Sequence, residues 1–122
     1  MEETSELFES YIRHNKLKAF NDSLDQMTVD SINEITVGPA KNTLLHISCQ
    51  NGYKNFVKAC LRRGADINAQ NSNGQTGMHF CYAMGFNDLG EYLKSKGADD
   101  TIRNVDGLTV YEGLNKSSLD HL

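Results

Sequence analysis

Residues 43–79 read TLLHISCQNGYKNFVKACLRRGADINAQNSNGQTGMH, and the stretch ends on the phrase it began with: Thr43-Leu-Leu-His46 returns as Thr76-Gly-Met-His79, 33 positions later. The same register runs outward on both sides. Gly52 and Gly85, Asn71 and Asn104, and Gly74 and Gly107 keep the 33-residue spacing, as do the triplets Gly64-Ala65-Asp66 and Gly97-Ala98-Asp99, and Thr109 follows Thr76 by another 33. Recurrence at a fixed period in the range of roughly 20–50 residues marks an array of small supersecondary units.

Within one period the residues spell a helix, a tight reversal, a second helix and an extended loop. Thr43 and Thr76 can accept a bond from a free backbone N–H at the start of the first helix. His46 and His79, one turn in, are placed to bond back to the threonine or to a loop carbonyl. Gly52 and Gly85 follow the first helix and Gly64 and Gly97 the second, where a left-handed residue commonly ends a helix. Upstream, Asn15 takes the first of these roles, asparagine being the best substitute for glycine there. No single unit can bury its apolar face, so stacking must build the core: Leu45, Ile47, Phe56, Val57 and Leu61 against Met78, Phe80, Leu89, Tyr92 and Leu93.

These stretches resemble the ankyrin repeat, whose period is about 33 with a Thr-Pro-Leu-His signature. The resemblance covers about residues 5–114 and is tightest over 41–107. It implies an all-α solenoid of helix-turn-helix units joined by hairpin loops, a single domain over residues 1–122 with about three repeats and a partial C-terminal cap. The boundaries expected are about 5–37, 38–70, 71–103 and 104–122.

The departures carry consequences. The motif's proline is Leu44 in one copy and Gly77 in the next, which lowers rigidity at the helix start without removing the fold. The first copy lacks Thr-x-x-His, yet Leu7, Phe8, Tyr11 and Ile12, then Leu17, Phe20 and Leu24, follow helical spacing. Its Ile32-Asn33 matches Ile67-Asn68, with two extra residues on each side, so the loop from about Met27 to Ala40 is expected to be the most irregular surface. The fourth copy stops after one helix and has Glu112 where the motif has histidine. Gly90 and Lys94 replace the Val57 and Leu61 of the preceding copy, as expected of an outer helix with no helix after it.

The remaining bounds exclude whole classes. With 122 residues, 39% apolar and 23% charged, the chain has the composition of one folded domain. A formal charge of −4 disfavours nucleic-acid binding. Apolar runs of a few residues fall far short of the ~20 that span a bilayer, and acid rather than base follows Met1, so neither membrane insertion nor a signal peptide is expected. Three cysteines, Cys49, Cys60 and Cys81, without a CxxC pair suit a reducing, cytoplasmic setting.

His46, His79 and the cysteines show no metal-ligand spacing, and histidine recurring in register is explained by structure, so no cofactor, metal or enzymatic activity is expected. Lys54, Lys58 and Arg62 form a basic stripe at i, i+4, i+8, with Arg63 alongside, read either as a solvated convex face or as an attraction for acidic partners or anionic surfaces. The tail from Asn115, with Leu119 and Leu122, is polar and undecided.

The ankyrin resemblance implies an adaptor or scaffold that binds a protein partner through a concave surface of hairpin tips and first helices. Carried over by position, that surface comprises Gln50, Asn51, Gln70, Ser72, Asn73, Gln75, Ala83, Met84, Arg103, Val105, Asp106 and Leu108. Met84, Val105 and Leu108 put apolar groups beside the planar cation of Arg103, a mixture typical of interface anchors; capping of the last repeat would equally account for Val105 and Leu108. Weak self-association by end-to-end stacking through Tyr11, Ile12 and Phe20 is the alternative, and an enzyme or metal protein a remote one.

Overall fold

The computed structural model describes residues 2–27 and 32–112; the tail with Leu119 and Leu122, and the rest of the expected fourth copy, lie outside the described residues. Three helical hairpins follow one another: α1 (Glu2–Arg13) with α2 (Leu17–Asp25), α3 (Leu44–Gln50) with α4 (Lys54–Arg62), and α5 (Gly77–Ala83) with α6 (Asn87–Ser95). The first helices α1, α3 and α5 pack side by side as an inner row, and α2 packs on α4 in an outer row. Helices α3 and α4 recur as α5 and α6 after 33 residues, whereas α2 precedes α4 by 37. The four additional residues are those counted from the sequence around Ile32-Asn33, and they fall in the first hairpin.

Every reversal between inner and outer helix is made the same way. Asn15 (φ 56°), Gly52 (φ 70°) and Gly85 (φ 82°) adopt the left-handed conformation, and the next N–H returns to the carbonyl five residues back: Lys16 to Tyr11 (2.7 Å), Tyr53 to Ser48 (3.1 Å) and Phe86 to Cys81 (2.7 Å). This is the Schellman closure that glycine or asparagine permits.

The starts of α3 and α5 are reciprocal caps. The Thr43 hydroxyl accepts from His46 N–H (3.3 Å) while Thr43 N–H donates to His46 Nδ1 (3.0 Å); Thr76 and His79 repeat this at 3.4 and 3.1 Å. With Nδ1 accepting, Nε2 carries the proton and donates to the carbonyl of Gln75 from His46 (2.7 Å) and of Leu108 from His79 (3.0 Å). Each histidine thus bonds to both expected partners, and the second lies in the following unit. Glu112 takes over the cap in the last copy, its carboxylate accepting Thr109 N–H at 2.8 Å.

The core is continuous through the stack. Phe8 meets Phe20 (ring centroids 5.6 Å), Phe20 meets Phe56 (5.0 Å), and Phe80 packs edge-on to His46 (5.4 Å). Leu45, Ile47, Phe56, Val57, Met78, Phe80, Leu89 and Leu93 are buried as expected, while Leu61 and Tyr92 are only partly so.

Two expectations need correction. Ile12 and Phe20 are completely buried against the second unit and Tyr11 is half-buried, so these side chains form no exposed end face for self-stacking. Gly90 is not the mark of a missing neighbour: it is buried, and a Cβ there would come within 2.6 Å of the Tyr82 ring, which fills the space. Lys94 behaves as expected of a cap, exposed and paired with Asp100 at 3.0 Å. The helical architecture is also supplemented by one small ladder, β1 (Thr36–Val37) antiparallel to β2 (Asn42–Thr43), in the lengthened first hairpin.

Candidate functional site

The hairpin tips form a row in which each is held by the one before it. Ser72 N–H donates to the Ala40 carbonyl (2.8 Å), and 33 residues later Val105 N–H donates to Asn73 (3.0 Å). Inside the second and third tips a buried asparagine shapes the turn. Asn71 Oδ1 accepts from the N–H groups of Asn73 (2.9 Å) and Gln75 (3.0 Å), and Asn104 Oδ1 accepts from Asp106 (2.9 Å) and Leu108 (3.1 Å). Gly74 (φ 75°) and Gly107 (φ 79°) supply the left-handed residue, and at Gly74 a side chain would strike the backbone of the next tip, Val105 N lying 3.0 Å from the position of a Cβ.

The twelve residues expected to bind a partner divide into two groups. Gln70, Ser72, Asn73, Arg103, Val105, Asp106 and Leu108 belong to the tips. Gln50, Asn51, Ala83 and Met84 stand at the C-terminal ends of α3 and α5, which as seven-residue helices separate the groups by about 10 Å. Val105 is 70% and Met84 41% exposed. Gln70, Ser72, Asn73, Arg103 and Asp106 are exposed, while Gln50, Asn51, Ala83 and Leu108 are half-buried.

Gln75 is the exception. It is only 6% exposed, and its Oε1 accepts from Asn71 Nδ2 at 3.3 Å inside its own tip, so it shapes the surface from beneath and does not present its side chain. Leu108 stands at the corresponding place in the next tip and offers no side-chain acceptor, and among the described residues the buried Asn104 Nδ2 has no hydrogen-bond partner.

Arg103 is bound into the last tip. One guanidinium nitrogen donates to the Gly107 carbonyl (2.6 Å) and to Glu112 (3.1 Å), and Gln70 Nε2 reaches the Arg103 carbonyl at 3.5 Å. The Thr109 N–H and the Arg103 cation hold the Glu112 carboxyl below its usual range. Asn51 Nδ2 is likewise turned back to the Ile47 carbonyl (2.8 Å).

A region of this side that the residue-by-residue reading omitted lies at its N-terminal end. Ser5, Glu6 and Glu9 of α1 face Glu34, Val37, Pro39 and Lys41 of the first hairpin across an open hollow of about 710 Å³. The extra residues of that hairpin were the available signal, since a longer arm stands further from the helix beside it. Glu9 is paired with Arg13 at 2.7 Å.

The histidines and cysteines are structural in their surroundings. Burial lowers the pKa of His46 and of His79, against the opposing pull of the carbonyls of Gln75 and Leu108. Contact with Cys81 and burial hold the Cys49 thiol well above its usual range, and burial pushes Cys60 up to about 12. All three cysteines are free and buried. Among the described residues no group of three or more His, Cys, Asp or Glu side chains is placed to hold a metal, and no helix is long and apolar enough to cross a membrane.

Comparison with known proteins agrees with this geometry. The family model described as ankyrin repeats (3 copies) matches residues 6–104. The Notch-regulated ankyrin repeat-containing protein of Xenopus laevis is 31% identical over 96 residues, 79% of this chain and 84% of that protein. The ADP-ribosylation factor GTPase-activating protein AGD2 of Arabidopsis thaliana is 39% identical over 70 residues, 57% of this chain, but the match spans only 9% of that protein's length. Among solved structures, a chain in the crystal structure of the yeast ribosomal protein Rps3 in complex with its chaperone Yar1 superposes with a TM-score of 0.82 at 21% identity, over 99% of this chain and 89% of that one.

Proposed function

Since this chain belongs to the ankyrin-repeat family, whose repeats are protein-interaction modules, we propose that it is an adaptor or scaffold that holds a protein partner against its hairpin tips and inner-helix ends. The reading takes the chain as one domain with repeats of about 5–37, 38–70 and 71–103 and a partial cap from 104, acting in the cytoplasm by binding and not by catalysis, with no cofactor.

The observation that carries it is the pre-ordered row of tips. The second and third tips are each fixed by a buried asparagine and by a bond to the tip before, so a partner meets a surface whose backbone entropy is already spent. At the C-terminal end of that row Val105 is left 70% exposed beside the polar groups of Ser72, Asn73 and Asp106. An apolar anchor ringed by polar groups is the pattern of an interface centre.

Crosslinking and mass spectrometry from native extract identify the partner, and Met84→Glu with Val105→Glu tests the surface. Val105 is chosen over Arg103 for the change of charge, because Arg103 holds its own tip together. Loss of the crosslinked partner with an unchanged circular dichroism spectrum is expected; a partner captured equally by the double variant removes this face from the function.

A further inference from the structure

The outer row carries a second feature that the tips leave unused. Lys54, Lys58 and Arg62 lie at i, i+4, i+8 along α4, spread over about 12 Å. Lys96 approaches from the end of α6. The ring of Tyr92 on α6 gathers three of the four: the Nζ atoms of Lys54, Lys96 and Lys58 stand 4.4, 5.6 and 5.8 Å from its centroid. Lys58, Arg62, Lys96 and Tyr92, with Leu61, Ala65 and Ile67, line a shallow groove of about 600 Å³.

The charge there is uncompensated. Arg13, Lys18, Arg63, Lys94 and Arg103 each have a carboxylate within salt-bridge distance, whereas among the described residues none pairs with Lys54, Lys58, Arg62 or Lys96. No acid lines the groove, although the chain as a whole has four more acidic than basic residues. Asp88 shares only the adjoining hollow with Lys54. Three ammonium groups drawn to one ring repel one another, and an anion placed between them relieves that repulsion.

We propose that this α4–α6 groove is a second docking surface, which takes an acidic segment of a partner protein with an apolar side chain among its carboxylates. The length of the stripe suits four or so residues of extended chain at about 3.3 Å each and exceeds a single phosphate. The floor decides between protein and membrane. Leu61, Ala65, Ile67 and Tyr92 are partly buried apolar groups between the cations, a place that a side chain fills and that a flat layer of headgroups spans without touching.

The test uses fluorescence anisotropy on the intact chain with a fluorescein-labelled heptapeptide of glutamates bearing a central leucine. Saturable binding is expected, weakened about tenfold or more by Lys58→Glu with Lys96→Glu. Lys16→Glu with Lys18→Glu, an equal change of charge on exposed positions of the first unit, leaves it unaltered. An all-glutamate heptapeptide binds more weakly than the leucine peptide. The proposal is overturned by absent binding, by equal affinity in the charge-reversed protein, by equal affinity of the two peptides, or by phosphatidylserine vesicles binding in the peptide's stead with the same sensitivity to the reversal. Should the reversed protein lose its native circular dichroism, Lys58→Gln with Lys96→Gln replaces it under the same criterion. The tip variants lie on the inner side of the stack, so either surface can fail without the other.

Discussion

His46 and His79 each join a helix start to the following unit through one neutral ring, Nδ1 accepting from the threonine N–H and Nε2 donating to a carbonyl 29 residues on. Protonation would place a second N–H against Thr43 or Thr76, so the folded state disfavours the cation, and burial lowers both pKa values below 6.5. The unfolded chain therefore takes up these protons first as pH falls. Stability is fully present above about pH 6.5 and declines below it toward the lower folded value, by at most about 1.4 kcal/mol per pH unit per histidine. In urea titrations, His46→Ala is expected to cost about 2–3 kcal/mol at neutral pH, by orphaning two buried partners, and to flatten this dependence. A variant as stable as the parent, with the same slope, contradicts the role assigned to the ring.

At the scale of the element, register-equivalent helices solve one packing problem in opposite ways. The second unit has Cys49 on its inner helix and Val57 on its outer helix, both completely buried; the third has Tyr82 and Gly90 at the same places. The large ring and the missing side chain belong together, since any Cβ at Gly90 would overlap the ring. Gly90→Val alone is expected to destabilise by about 1–3 kcal/mol through overpacking. Tyr82→Cys with Gly90→Val restores the second unit's pair and recovers part of that loss, giving a favourable coupling in a double-mutant cycle. Additive losses would show that the two positions do not share the space. Recovery is partial because Tyr82 also donates to Glu91 at 2.5 Å and stacks near Tyr111. The helices, their turn residues and the threonine caps were legible in the sequence because each depends on neighbours a few residues apart. The burial of Gly90, Gln75, Ile12 and Phe20 was not, because it depends on what the adjacent unit places opposite them. The tip residues were legible as positions in a register, but the groove around Tyr92 needed α4 and α6 side by side.

Across the whole molecule the joints set the distribution of stability. Helices α3 and α4 have a unit on either side, with Phe20–Phe56 packing below and the His46–Gln75 bond above. The first unit and the segment after α6 have one covered side among the described residues. Native-state hydrogen exchange is expected to be slowest in α3 and α4, faster in α1 and α2, and fastest over residues 97–112, since solenoid stability is a sum of unit and interface terms. Uniform protection along the chain would mean a single cooperative block.

The bond from each inner-helix histidine to the carbonyl one unit ahead has a consequence for length. The last copy has Glu112 where a third histidine would have extended the series. Duplicating residues 44–76 in tandem repeats that bond, the added block receiving at one edge the connection it offers at the other; at the join its Leu44 takes the place of Gly77, where a Cβ already comes within 2.9 Å of Cys49 Sγ, so with Leu44→Gly in the added block the protein grows by whole links, as a chain does.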